Sequence, residues 1–314
     1  MEDKSAGRGR DVALTLFAPI AWGTTYLVTQ LWLPPQRPLF TAAIRALPIG
    51  VVMLLWRRTL PTGSWWWKAA LLGVCNFGLF FALLFVGAYR LPGGLASTLQ
   101  ATGPLLIMAI AWLVLRERPS GAAILGGILG VIGVGILVLR AGFVVDGIGV
   151  AAALGSVAVS SLGFVLIKKW TPPVDLLTFT TWQLVAGGLF LTVLAALFEG
   201  PPPEITAAGW LGYAWIGIAG TGVAYLVWFR GLRRLSAASV GTLGLVNPLV
   251  ATLLGITIAG EAFGPAQAIG VGAVLVGVLL GQPAVVDAAA HMLGRHRRQR
   301  GNSGPTADAS DKRR

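Results

Sequence analysis

A 51-residue stretch of this chain, Gly87 to Leu137, recurs 144 positions later without a gap. Gly87, Arg90, Leu91, Thr98, Leu99, Pro104, Leu105, Glu117, Ala122, Gly126, Gly133 and Val134 meet identical residues between Gly231 and Val278, 12 identities in all. Shared apolar composition does not hold Pro, Glu and several Gly in register over that length, so the stretch is read as an internal duplication. At an offset of 138, Trp32, Pro34, Pro35, Leu39 and Gly50 fall on Trp170, Pro172, Pro173, Leu177 and Gly188. Between Gly50 and Trp66, around the polar link Arg57 to Ser64, the offset changes from 138 to 144, and Trp66, Ala70, Gly73 and Phe85 fall on Trp210, Ala214, Gly217 and Phe229. Two similar halves are therefore expected, 12–139 and 147–282, followed by a basic tail, 283–314, too polar to order itself.

Each half must satisfy its backbone in an apolar solvent. Charged residues make up 11% of the chain and apolar residues 55%, against roughly 25% charged in a soluble domain. Ten segments approach the roughly 20 apolar residues that cross a bilayer: 12–32, 38–56, 67–89, 94–115, 121–139, 147–167, 176–197, 208–229, 236–258 and 265–282. The expected fold is an all-α membrane protein of ten transmembrane helices. With the amino terminus in the cytoplasm, every Lys and Arg except Arg37, Arg45, Arg90 and Arg140 lies inside, the basic-residue asymmetry of an inner-membrane, multi-pass protein with both termini cytoplasmic. Five spans per half is an odd number, so the second half enters from the opposite side. The duplication is then an inverted-topology repeat, the architecture that alternately opens a central site to the two faces.

The net charge of +12 resides in links and tail, which argues for membrane orientation and against a nucleic-acid partner. Cys75 is the only cysteine, and both histidines, His291 and His296, lie in the tail, so no disulfide framework, metal site or cofactor is expected. Lys4, Arg8 and Arg10 precede a full-length apolar segment without a small-residue cleavage site, which reads as a retained span. Trp32, Trp56, Trp65, Trp66, Trp67, Trp170, Trp210 and Trp228 fall near span ends and read as an interfacial belt.

Few residues inside the spans could carry chemistry. Pro104 and Pro248 occupy matching places in the fourth and ninth spans, each removing a helix hydrogen bond; they are candidate paired hinges or tolerated kinks. Thr98 with Gln100, and Thr242 with Asn247, either bind substrate or join helices. Arg45 lies seven residues from Pro38, about 10 Å deep at 1.5 Å per residue, and its repeat counterpart is the neutral Gln183. It reads as a partner for an anionic or zwitterionic substrate, or as a side chain bonded to helix carbonyls or snorkelling outward. Glu117 and Glu261 read as caps for the helices that follow them, with gating the other reading. Trp22-Gly23-Thr24-Thr25-Tyr26 of the first span aligns with Ser160-Ser161-Leu162-Gly163-Phe164 of the sixth, making Trp22 and Tyr26 candidate cavity residues or a helix seam. The spacing Gly126-x-x-x-Gly130, with Gly133, Gly270 and Gly277, makes small faces for helix packing, within the chain or in a possible homodimer.

Taken in order, Trp22-Gly23, Arg45, Gly103-Pro104, Glu117, Asn247-Pro248 and Glu261 resemble the EamA family of the drug/metabolite transporter superfamily across residues 12–282. The run Trp22 to Thr29, with Leu33-Pro34-Pro35 and Arg37-Pro38, looks most like its blue-pigment (indigoidine-type) exporter branch. The resemblance implies export of amino acids or related small metabolites through a cavity lined by spans 1, 3, 4, 6, 8 and 9. Asn76, Phe80, Ser160 and Tyr225 then join Trp22, Tyr26, Gln100 and Asn247 as candidate lining residues, while Arg45 falls outside that wall.

The expected function is secondary-active export of neutral, zwitterionic or anionic metabolites, with a small-molecule substrate and the bilayer as partners. A lipid flippase or passive channel shares these apolar, Gly-rich spans. A multidrug cation exporter is disfavoured because Asp11, Glu117, Asp146, Glu199, Glu204 and Glu261 fall at span ends or in links, leaving no carboxylate mid-membrane. An enzyme lacks embedded acids, nucleophiles or metal ligands.

Overall fold

The structure, a computed structural model, describes residues 2–90, 99–138, 146–258 and 264–288. Its regular elements are helical: α1 (Glu2–Trp32), α2 (Pro38–Arg57), α3 (Trp65–Gly73, a π-helical turn Val74–Gly78, then Leu79–Arg90), α4 (Gly103–Leu115), α5 (Gly121–Val138), α6 (Gly147–Lys169), α7 (Leu176–Phe198), α8 (Ala207–Gly217, a π-helical turn Ile218–Val223, then Ala224–Arg234), α9 (Ala237–Leu243 and Val246–Thr257) and α10 (Pro265–Leu280). Residues 283–288 add a short helical stretch where the sequence suggests tail; the remainder of that tail, with His291 and His296, lies outside the described residues.

Among the described residues seven stretches are long and apolar enough to cross a membrane: Gly7–Thr29, Pro38–Arg57, Trp65–Gly87, Gly147–Lys169, Leu176–Phe198, Ala207–Arg234 and Ala237–Leu254. The segments expected at 94–115, 121–139 and 265–282 instead give shorter apolar helices, Gly103–Leu115, Gly121–Ile136 and Ala268–Leu280. A turn at Ala101–Thr102 separates α4 from the residues before it, which shortens the first of these. Polar side chains start the helices: Asp146 accepts from Ile148 N, Asp175 from Leu177 N and Thr178 N, Thr206 from Gly209 N, and Ser236 from Ser239 N.

The helices pack with an exchange symmetry visible in single contacts. α5 crosses α10 with Gly126 against Gly277 O and Gly133 against Gly270 O; a Cβ on either glycine would lie 2.6 and 2.8 Å from those oxygens. Since Gly126 and Gly133 are the 144-shifted counterparts of Gly270 and Gly277, each member of the seam meets the other's partner and the two helices run antiparallel. α2 crosses α7 in the same manner, Gly50 against Val185 and Gly188 against Leu47. Gly87 of α3 meets Ala153 of α6, and its counterpart Gly231 of α8 meets Thr15, the counterpart of Ala153, on α1. The remaining major contacts follow suit: α6 lies on α3 and α4, and α1 lies on α8 and α9. The glycines Gly126, Gly133, Gly270 and Gly277 are thus consumed inside the chain, where small residues let backbones touch.

The core forms where the halves meet. Phe77, Phe179, Phe229, Leu184 and Leu191 are fully buried there, contributed by α3, α7 and α8. Trp32, Trp56, Trp66, Trp67 and Trp210 are exposed, consistent with an interfacial belt. Trp228 is not part of it: only 2% of its surface is exposed.

Candidate substrate site

A buried polar network surrounds the π-helical turn of α8. A π turn widens the helix by one residue and takes backbone groups out of the regular ladder, which neighbouring side chains must then satisfy. Thr221 Oγ1 donates to Ile216 O, five residues back, at 2.8 Å. Gly220 O accepts twice, from Trp22 Nε1 of α1 at 2.9 Å and from Arg45 Nη2 of α2 at 3.2 Å. Arg45 Nε also donates to Thr221 Oγ1 at 2.9 Å, and its guanidinium carbon lies 4.6 Å from the centre of the Phe81 ring.

Around this turn lie aromatic rings from both halves. Trp22 sits 5.1 Å from both Tyr225 and Trp228, centre to centre, and Tyr225 lies 4.4 Å from Phe77 of α3. Phe229 and Phe164 extend the group. Phe77, Tyr225 and Trp228 are buried, so the cluster is closed in this conformation. Two cavities, of about 320 and 200 Å³, lie away from it: one is lined by Phe40, Ile44, Pro202 and Trp210, the other by Glu117, Arg118, Ser236 and Ala238.

Arg45 is 5% exposed, and no carboxylate among the described residues lies within ion-pair distance of it. Its charge meets a hydroxyl, a carbonyl and a ring, which hydrogen-bond it without neutralising it. The described ion pairs occur elsewhere: Arg230 and Arg234 on Asp11 at 2.8 and 3.6 Å, Lys168 on Glu117 at 2.6 Å, Arg90 on Asp146 at 2.9 Å, and Arg57 on Asp175. At Asp146 the Arg90 hydrogen bond, helped by Ile148 N–H, holds the carboxyl below the usual carboxylate range. No cluster of three His, Cys, Asp or Glu able to hold a metal occurs among the described residues.

The structure gathers some of the sequence-derived candidates and separates others. Trp22, Tyr225 and Arg45 converge on the α8 turn, and Asn247 reaches the same corner through its backbone: a Cβ on Gly23 would lie 2.9 Å from Asn247 O. Asn76 is fully buried and donates from Nδ2 to Gln183 Oε1 of α7 at 2.8 Å. Gln100, which precedes the turn at Ala101–Thr102, donates to Ser156 Oγ of α6 at 2.8 Å, and Ser160, a turn further along α6, bonds back to Val157 O of its own helix. Phe80 packs on Phe81, 5.0 Å away, outside the central cluster. The Tyr26 side chain, Thr98 and Glu261 lie outside the described residues.

Three expectations change. Pro104 and Pro248 do not bend continuous helices; they stand at the second and third residues of Gly103–Leu115 and Val246–Thr257, just after turns at Ala101–Thr102 and Gly244–Leu245. The chain there closes short three-residue hydrogen bonds, Leu105 N to Thr102 O and Asn247 N to Gly244 O, because a proline cannot continue the preceding ladder. Glu117 does not cap the helix that follows it, a task Ser120 takes by accepting from Ala123 N. Its carboxylate instead accepts from Ala237 N, the first residue of α9, at 2.8 Å, and Lys168 joins it to Leu235 O. Arg45, which the family resemblance puts outside the wall, reaches the α8 turn because α2 lies beside it. Thr221, Gly220, Phe77, Trp228 and Gln183 were not singled out as site residues; the 138-residue offset from Arg45 to Gln183 was the signal for the last.

The EamA-like transporter family matches this chain over residues 10–139 and again over 147–281. The protein PecM of Dickeya dadantii (strain 3937) is 38% identical over 258 residues, 81% of this chain and 86% of PecM. An uncharacterised transporter of Bacillus subtilis (strain 168), YwfM, is 31% identical over 84% of this chain and 91% of its own length. An uncharacterised inner membrane transporter of Escherichia coli (strain K12), YedA, is 26% identical over 83% of this chain and 87% of its own. A crystal structure 20% identical in sequence superposes with a TM-score of 0.76 over 89% of this chain and 99% of that one, a likeness of fold.

Proposed function

The chain belongs to the EamA-like transporter family, a family of membrane transporters, and from that premise we propose that it exports small neutral, zwitterionic or anionic metabolites from the bacterial cytoplasm by alternating access. In this reading the three shorter apolar helices also span the membrane, giving ten spans in two oppositely oriented halves with both termini cytoplasmic. The substrate sits between the halves against Trp22, Phe77, Tyr225 and Trp228.

One observation carries the charge preference: the buried guanidinium of Arg45 at that junction has no carboxylate beside it among the described residues. An uncompensated cation repels a second one and favours a group that brings negative charge or an outward dipole. The rings favour a substrate with an apolar or planar portion. Because Phe77, Tyr225 and Trp228 are buried here, a substrate reaches them only when the halves move, which supports alternating access over an open channel. The resemblance to the blue-pigment exporter branch supports the outward direction.

The test is efflux from cells expressing the protein, loaded with three matched compounds: a neutral aromatic amide, its zwitterionic amino acid and a permanent quaternary cation. Efflux of the first two above that of the cation is expected. Preferred efflux of the cation would overturn this reading.

A further inference from the structure

The two π turns stand at the same place in the two halves: Val74 and Ile218, their first residues, are 144 positions apart. Each is held by a long polar side chain from a helix of the opposite half. Arg45 of α2 holds the α8 turn through Gly220 O and Thr221 Oγ1, and Gln183 of α7 holds the α3 turn through Asn76 Nδ2. Arg45 and Gln183 are themselves repeat counterparts, as are Asn76 and Gly220.

A third pair completes the correspondence. Asn76 Oδ1 presses on Gly163 of α6 closely enough that a Cβ there would collide with it. In the other half the large and small partners are exchanged: Gly220 faces Thr25 of α1, the counterpart of Gly163, with Thr25 Oγ1 4.0 Å from where a Cβ on Gly220 would stand. Asn76 Oδ1 and Thr25 Oγ1 are buried and have no hydrogen-bond partner among the described residues. The α3 turn thus carries one polar bond across the halves and the α8 turn three, two of them from Arg45, and each has one unsatisfied polar atom beside it, a combination that favours a second arrangement of the same groups.

We propose that Gln183 and Arg45 are positioning residues of the transport cycle, pinning the α3 and α8 turns, and that release of these two pins is the step by which the halves change the side to which the site opens. The inference rests on the alternating-access reading above. Gln183 and Arg45 act through the turns they hold and not by touching substrate. The neutral pin of one half and the charged pin of the other make the two turns unequal in strength, so the two orientations of the site need not be equally populated.

Cys75, the only cysteine, lies within the α3 turn and is buried, so its alkylation by N-ethylmaleimide reports opening of that turn in the full-length protein in lipid nanodiscs. Ala219 is its counterpart in the α8 turn, and Ala219→Cys with Cys75→Ala gives the matched reporter. Gln183→Ala should speed labelling at Cys75 roughly three- to tenfold, the equivalent of one lost hydrogen bond, and leave position 219 unchanged. Arg45→Ala should do the reverse. Arg45→Gln with Gly220→Asn and Thr25→Gly, which transplants the neutral pin into the second half, should restore slow labelling at 219. For the best-exported compound of the panel, Gln183→Ala should lower the maximal rate and leave KM within about twofold, whereas Arg45→Ala removes the charge that favours the substrate and should change both. Faster labelling of both turns together, unchanged labelling of both, or a raised KM at constant maximal rate in Gln183→Ala would each overturn the proposal. The labelling needs no substrate, so it separates failure of the pins from failure of the transport reading.

Discussion

Trp22 and Trp228 illustrate what one side chain can and cannot announce. In sequence Trp228 falls near a span end and resembles the interfacial tryptophans, yet it packs against Trp22 and Phe164 in the centre. Trp22 differs in that its Nε1 has a specific acceptor, Gly220 O, on the other half of the chain. Trp22→Phe keeps the ring and removes that donor, so it should lower stability by about 1 kcal/mol and slow efflux, measured by thermal unfolding of the purified protein and by the panel assay. Unchanged unfolding would mean the bond contributes nothing. Gly163→Ala drives a methyl into Asn76 Oδ1 and should cost about 1–3 kcal/mol, seen as a lower unfolding temperature with faster Cys75 labelling. Its isolation among apolar residues marks Arg45 as a cation inside a span, either a substrate partner or bonded to helix carbonyls or snorkelling outward, and the structure has it bonded to the Gly220 carbonyl. Its partners were not legible in the sequence, because a backbone carbonyl on a helix far away in sequence leaves no mark on Arg45 itself.

At the scale of helices, the duplication made the element order legible, and the offsets of 138 and 144 even carried the seams: the pairs Gly126–Gly277 and Gly133–Gly270 obey them. The π turns were invisible, since Val74–Gly78 and Ile218–Val223 contain nothing that an ordinary helix would refuse beyond a few glycines. The prolines were recognised as breaks but misplaced within their helices, because the turns before them are made by backbone bonds and not by a residue type. Pro104→Ala and Pro248→Ala should still slow transport while leaving the protein inserted and abundant: an alanine N–H lets the preceding helical turn run through Ala101–Thr102 or Gly244–Leu245 and straightens the break. Full transport by both variants would make the breaks passive. Glu117 was read as a cap, and it is one, but for α9 of the other half. Glu117→Gln keeps an acceptor for Ala237 N and drops the Lys168 ion pair, an expected loss of under about 1 kcal/mol. Glu117→Ala loses the cap as well and should cost about 1 kcal/mol more, by the same unfolding measurement.

Over the whole molecule, the physics of a membrane explains why the class was readable: few charges and long apolar segments leave little freedom in it. What composition cannot encode is which helices touch, and that is where the site arises, at the contact of α1, α2 and α3 with α8. The central claim is that the two halves are oppositely oriented in the membrane. It is tested most directly by reporter fusions at repeat-equivalent positions, after Trp32 and Trp170 and after Arg90 and Arg234, which are pairs of identical residues 138 and 144 apart. Fusions after Trp32 and Arg90 should report from outside and those after Trp170 and Arg234 from the cytoplasm; members of either pair reporting from the same side would contradict the account.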